Sequence, residues 1–274
     1  MAVSIGGAKR QYLGSAGYIT GQKHGMYDFI YTISTARDSL FNVGDPVDLP
    51  DGRQFVYSLS SGEVYTGRGN VLFNAIPATG IDYANNIYAA AAIGDRQVVV
   101  TNGSTVVQTA NGLRGGSIVL KPAVGSSDAV LMQRKILGNT ACGLAGQTTI
   151  YLDAPLTAAL STSSYSFCMP SPFLSIKYSD ALTNVSHVGP AATYVPASGY
   201  YFWVQTAGRC WLAPQSTVGV TDYGREVVWR YDGSIQLRTY NSAINGEYGQ
   251  VAGYIVDNNQ AGNGATEICL TGGI

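Results

Sequence analysis

The chain has 274 residues and a formal net charge of −1, and only 12% of its residues are charged, about half the ~25% usual for soluble domains. Hydrophobic residues make up 46%, which excludes a low-complexity disordered chain, and the neutral balance disfavours both a general nucleic-acid binder and a polybasic membrane binder. Glycine (34) and tyrosine (19) are abundant and lysine is scarce. So few charges on a folded protein leave two readings open. Much of the surface faces other protein, or the surface is polar and rich in Ser, Thr, Asn and Gly.

Residues 1–44 alternate glycines with aromatics (Tyr12, Gly14, Gly17, Tyr18, Gly21, Gly25, Tyr27) without a sustained period. They read as an extended N-terminal arm with aromatic anchors, or as a segment packed on its own domain. No apolar run of secretory-leader type opens the chain, and no stretch approaches the ~20 apolar residues of a membrane helix. One helix is expected over 83–93, through its run of alanines, ended by Gly94 and Asp95. Elsewhere short runs of Val, Ile, Thr and Tyr are punctuated by Gly, Asn, Asp and Ser, the pattern of an all-β chain. Strands are expected at 54–59, 97–101, 117–121, 130–137, 148–152, 200–205, 209–212, 226–230, 235–240, 251–257 and 266–270. Asp51-Gly52, Asn102-Gly103, Asn111-Gly112 and Asp232-Gly233 signal tight turns, because these dipeptides tolerate positive φ. The last of them lies between two strand-like runs. Pro170 and Pro172 interrupt strand pairing and mark a boundary. The expected fold is all-β: a β-barrel or sandwich base from 45–82 with 174–274, a second smaller β unit from 83–173, and the arm, 1–44.

The search for chemistry finds no constellation. His24 and His187 are the two histidines. Ser186 and Asp180 lie near His187 in sequence, but no GxSxG elbow accompanies them. No HxxxH or CxxC spacing occurs. Residues 257–262 resemble the start of a calcium loop, but Ile268 stands at its twelfth position and Glu267 comes one residue early. The glycine-rich stretches at 67–70 and 112–116 continue as no phosphate cradle. Cys142, Cys168, Cys210 and Cys269 are far apart and read as free, mostly buried thiols, with one cross-strand pairing left open. No catalytic residue, metal or cofactor is expected. The tyrosines and tryptophans suit a sugar platform, a protein interface, or simply strands.

Three stretches in order carry a resemblance. The first runs Gly44-Asp45-Pro46-Val47 and then Leu49-Pro50-Asp51-Gly52-Arg53-Gln54-Phe55-Val56-Tyr57-Ser58. The second is Ala92-Ile93-Gly94-Asp95-Arg96-Gln97-Val98-Val99-Val100-Thr101, followed by Gly115-Gly116-Ser117-Ile118-Val119. The third is Val195-Pro196-Ala197-Ser198-Gly199-Tyr200-Tyr201-Phe202-Trp203-Val204-Gln205-Thr206-Ala207-Gly208. With Ile150-Tyr151-Leu152-Asp153-Ala154-Pro155-Leu156 and the closing Gly249-Gln250-Val251-Ala252-Gly253-Tyr254, this order resembles the head-decoration, or capsid-cement, proteins of tailed bacteriophages. The resemblance covers about 44–274.

It implies an all-β, non-enzymatic virion protein, made in the host cytoplasm and bound to the outer capsid surface. Its partner would be the major capsid protein, and it would form a homo-oligomer, with a trimer favoured. Neither nucleic acid nor membrane would be a partner. The expected contact residues are Tyr12, Tyr18, Tyr27 and Phe29 in the arm, and Tyr200, Tyr201 and Trp203 in the third stretch. The last three include both faces of one strand, so at least one of them belongs to the core. A tail or baseplate component, or a virion-surface glycan-binding module, are the alternatives.

Overall fold

The computed structural model describes residues 27–72, 81, 86–123, 131–178, 186–214, 218, 225–238, 249–257 and 266–272. The protein is all-β. In chain order its strands are β1 (Pro46–Asp48), β2 (Gln54–Leu59), β3 (Asn70–Leu72), β4 (Gln97–Thr101), β5 (Ser117–Lys121), β6 (Met132–Asn139), β7 (Gln147–Leu152) and β8 (Tyr165–Met169). Then come β9 (Ile176–Tyr178), β10 (His187–Gly189), β11 (Tyr201–Leu212), β12 (Glu226–Trp229), β13 (Ile235–Leu237), β14 (Val251–Asp257) and β15 (Thr266–Thr271). The chain divides into two compact units, Met1–Asn74 with Phe173–Ile274, and Ala75–Pro172.

The first unit is a sandwich. A seven-stranded antiparallel sheet runs β1-β2-β11-β15-β14-β12-β13, and a three-stranded sheet runs β10-β3-β9. Val56, Phe202 and Val204 from the large sheet share a core with Ile176 and Val188 from the small one. The opposite side of β2 and β11 is buried too. There Phe55, Tyr57 and Trp203 pack with Ile30, Phe41, Val47 and Leu49. Burial on both faces explains why 55–57 and 202–204 read as continuous apolar runs rather than alternating ones. The 3-10 turn Asp28–Tyr31 supplies Ile30 to this second core. Residues 27–44, expected as part of the arm, are therefore packed on their own sheet, because Ile30 and Phe41 are buried at 0% and 3% exposure. Residues 1–26 of the expected arm lie outside the described residues.

The expected strands 200–205 and 209–212 are one strand, β11, with a register shift between Gln205 and Ala207. The bulge leaves backbone carbonyls without ladder partners. The buried Gln205 side chain answers them, with Nε2 donating to the carbonyls of Ala207 (3.1 Å) and Arg209 (2.8 Å). Up to the bulge β11 pairs with β2. Beyond it, from Ala207 to Leu212, it pairs with β15. A third core follows, where Cys210 and Leu212 meet Val227, Trp229, Ile235, Ile255 and Ile268. The Asp232-Gly233 turn joins β12 to β13 as its dipeptide foretells. Gly233 has φ +74°, and a Cβ there would collide with the Gly69 carbonyl oxygen, so only glycine fits where the turn meets the 67–70 loop.

The second unit is an antiparallel sheet in the order β4-β7-β6-β5-β8. β4, β5 and β8 alternate in burial along their length. Val98, Val100, Ile118, Leu120, Ile136, Ile150, Leu152 and Cys168 face one core. The expected helix at 83–93 is absent from its described part, 86–93. The backbone N–H groups of Tyr88 and Ala91 are claimed by the carbonyls of Val99 (2.8 Å) and Leu160 (3.0 Å). Ile87 and Ala91 are thereby drawn into the sheet's core, and tertiary pairing overrides alanine's helix propensity.

Candidate functional site

The expected contact residues separate on the structure. Tyr12 and Tyr18 lie outside the described residues. Trp203 is 2% exposed and has no surface to offer a partner. It is the core member of its trio. Phe41 and Phe29 meet it edge-on at 4.8 and 5.4 Å, Tyr57 lies tilted against it at 5.0 Å, and Phe29 stacks on Phe41 at 5.2 Å. Tyr201 stacks on Tyr57 at 5.7 Å. Tyr27, Phe29, Tyr200 and Tyr201 are half-buried. This aromatic nest holds the sheet together. Its exposed margin is Tyr31 and Leu40, 49% and 51% accessible, with Arg53 Nη1 donating to Tyr31 Oη at 3.1 Å.

A more open face lies on β11, β15, β14 and β12. Cys210 and Leu212 point into the core, so Arg209 and Trp211 point the other way. The register sets Arg209, Cys269, Tyr254 and Glu226 in one row across four strands, with Trp211 opposite Glu267. Trp211 is 52% exposed and Tyr254 is 50% exposed. The charges on this row are matched. Arg209 grips Glu267 with two bonds of 2.8 and 2.7 Å, and Arg238 grips Glu226 at 3.0 and 2.9 Å. The expected strand 209–212 already carried the alternation that exposes Trp211, but its neighbours on β14 and β15 emerge only from the register. In the second unit, Leu137 and Tyr151 are 50% and 42% exposed on β6 and β7, and Val119 lies opposite Phe167 on the outer side of β5 and β8.

His187 and two of the cysteines are enclosed in the protein. His187 is 5% exposed and stacks on Trp229 at 5.4 Å with an interplanar angle of 13°. Gln250 brackets its backbone, accepting from the His187 N–H at 2.7 Å and donating to its carbonyl at 2.6 Å. Burial pushes the His187 pKa down to about 4, against the opposing pull of the Arg230 carbonyl and the Asp232 charge. Its Nε2 is buried without a hydrogen-bond partner, a poor setting for proton transfer to a substrate. His24 lies outside the described residues, as do 258–265 of the calcium-like stretch. All four cysteines are free, with Cys168 and Cys210 buried. Burial raises both of their thiol pKa values. Among the described residues, no group of three or more His, Cys, Asp or Glu side chains is arranged to hold a metal ion. No described helix is long and apolar enough to cross a membrane. Comparison of the chain with protein-family models, curated proteins and solved structures finds no match in any of the three.

Proposed function

We propose that the protein is a non-enzymatic structural component of a virion, bound to the exterior of an assembled phage capsid and stabilising it by bridging capsomers. One observation carries this reading beyond the sequence resemblance. The open face of β11, β15 and β14 presents a half-exposed Trp211 and Tyr254, and four of its charged side chains are paired, Arg209 with Glu267 and Arg238 with Glu226, leaving the exposed Asp257 opposite Glu267 as a further charge. Such a face loses little on desolvation, since an unpaired buried charge is the chief cost of an interface. It also offers the aromatic anchors on which binding energy concentrates. In this proposal the major capsid protein is the partner, the protein acts as a homotrimer, and repetition over the shell converts modest contacts into firm attachment.

The test is the position of the protein in intact particles by cryo-EM, together with binding of Trp211→Ala to shells stripped of this protein. Density on the outer head surface and at least tenfold weaker shell binding by the variant are expected. Density confined to the tail would overturn the capsid reading in favour of a tail or baseplate component. Unchanged shell binding by Trp211→Ala would remove this face from it.

A further inference from the structure

A second aromatic group sits apart from the Trp211 face. Residues 60–65 run between two other segments of the first unit. The bridge from Val64 to Val195, with bonds of 3.0 Å in both directions, lies on one side. The bond from the Tyr178 N–H to the Glu63 carbonyl lies on the other. Val64 is fully buried, so Glu63 and Tyr65 on either side of it point outward. The antiparallel Val64–Val195 pairing brings Tyr194 beside Tyr65. Three tyrosines thus converge, with Tyr65 edge-on to Tyr178 at 4.4 Å and tilted against Tyr194 at 5.8 Å. Tyr194 is 46% exposed and Glu63 is exposed.

The polar atoms of this group are ordered. Glu63 accepts from Tyr65 Oη at 2.9 Å on one carboxylate oxygen and from Tyr194 Oη at 3.2 Å on the other. Arg68 Nη1 donates to Tyr178 Oη at 3.1 Å, and the guanidinium lies 6.0 Å from that ring. The buried Asn70 fixes the loop beneath. Its Oδ1 accepts from the Tyr65 N–H at 2.9 Å, and its Nδ2 donates to the carbonyls of Tyr65 (2.8 Å), Arg68 (3.2 Å) and Gly189 (3.1 Å). Rings held by their hydroxyls and a loop held by a satisfied amide lose little freedom when a ligand arrives.

We infer that Tyr65, Tyr178, Tyr194, Glu63 and Arg68 form a binding site for a neutral ring sugar at the end or branch of a surface glycan. The angled rings offer apolar faces to a sugar's C–H surface. A carboxylate has about four acceptor sites. The two tyrosyl hydroxyls use two of them, so the others remain for sugar hydroxyls. Glu63 and Arg68 balance in charge, so the site offers sialic and uronic acids no net attraction and suits neutral residues. The site is independent of the Trp211 face and of the capsid reading.

The test uses the full chain and saturation-transfer NMR titrations. Maltohexaose, chitohexaose and galactotriose serve as neutral probes, and a sialylated and a uronate-containing oligosaccharide as acidic ones. Binding of at least one neutral probe is expected. Tyr194→Ala and Glu63→Gln should weaken it at least tenfold with an unchanged circular dichroism spectrum. Tyr88→Ala, an exposed tyrosine of the second unit, should leave it unchanged. Absence of binding to every neutral probe, tighter binding of the acidic probes, or wild-type affinity in both variants would each overturn the inference. Loss of shell binding by Tyr194→Ala without any sugar binding would overturn it in favour of a protein contact.

Discussion

Replacing His187 with phenylalanine should flatten the stability of the protein between pH 7.5 and pH 5. The histidine ring is sealed against Trp229 at 5.4 Å, and burial holds its pKa at about 4 against an ordinary 6.5. In the unfolded chain the imidazole takes up its proton as pH falls through 6.5; in the folded state it resists until about pH 4. The unfolded state therefore binds more protons across that window, and stability falls as pH falls. At pH 5 the two proton affinities favour unfolding by a factor of about 30, or about 2 kcal/mol, rising to about 3 kcal/mol at pH 4. The charged neighbours leave this window intact. Burial works against the Asp232 carboxylate, but the Ser234 hydroxyl and amide, with Arg230 and Arg68, outweigh it and hold its pKa below 3.8. The Asp232 contribution is present above 3.8 and is lost only as pH falls below that value. Phenylalanine keeps a flat ring on Trp229 and removes the titration, while every other group is common to both proteins and cancels. The assay is urea unfolding of wild type and His187→Phe at pH 7.5, 6, 5 and 4.5. The wild type should lose about 2 kcal/mol more than the variant by pH 5. A difference under about 0.5 kcal/mol, or an NMR titration of His187 centred near 6.5, would refute the reasoning.

Three further outcomes follow from the packing. Asn70→Leu should cost about 2–4 kcal/mol in urea unfolding, because it strips partners from the Tyr65 N–H and from three carbonyls at once; a loss under about 1 kcal/mol would mean that water replaces the amide. Gly253→Ala should destabilise by more than about 2 kcal/mol, since φ is +157° and the added Cβ would collide with the Cys269 carbonyl oxygen on β15; a soluble variant with the wild-type melting temperature would contradict the β14–β15 register. Under thiol-specific labelling at pH 8, Cys168 and Cys210 should stay unreacted until the protein unfolds, because burial both hides them and suppresses their thiolates; mass spectrometry of the labelled native protein reads this directly.

The longer strands are legible in the sequence where one face meets water. β4, β5 and β14 begin and end where their Val and Ile runs do. The strands that escape notice are β1, β3, β9 and β10, each three residues long, too short to show a period. β8 escapes as well, because Ser166 and Cys168 hide its inward face. Thr206-Ala207-Gly208 reads as a break between two strands, yet it is a bulge, since the Gln205 amide supplies what the ladder loses. The tyrosine site is the least legible. Tyr65, Tyr178 and Tyr194 sit in three separate segments with no motif around any of them, and the β3–β9 pairing, the Tyr178–Glu63 backbone bond and the Val64–Val195 bridge unite them. The four aromatics at 200–203 stand out in sequence for the opposite reason, because a strand covered on both sides needs large apolar residues at successive positions.

The pairing of β2 with β11, Leu59 opposite Tyr201, sets an order of events on the ribosome. About 140 residues separate the two partners, so at 5–20 residues per second β2 waits roughly ten seconds or more for the strand that will cover its edge. The β4–β8 sheet, contained within one continuous stretch, needs nothing from downstream and can close during that interval. The nascent chain thus carries a finished sheet beside an unfinished one. The segment from Phe55 to Tyr57, buried on both sides in the mature protein, is the point at which chaperones or aggregation would compete for it.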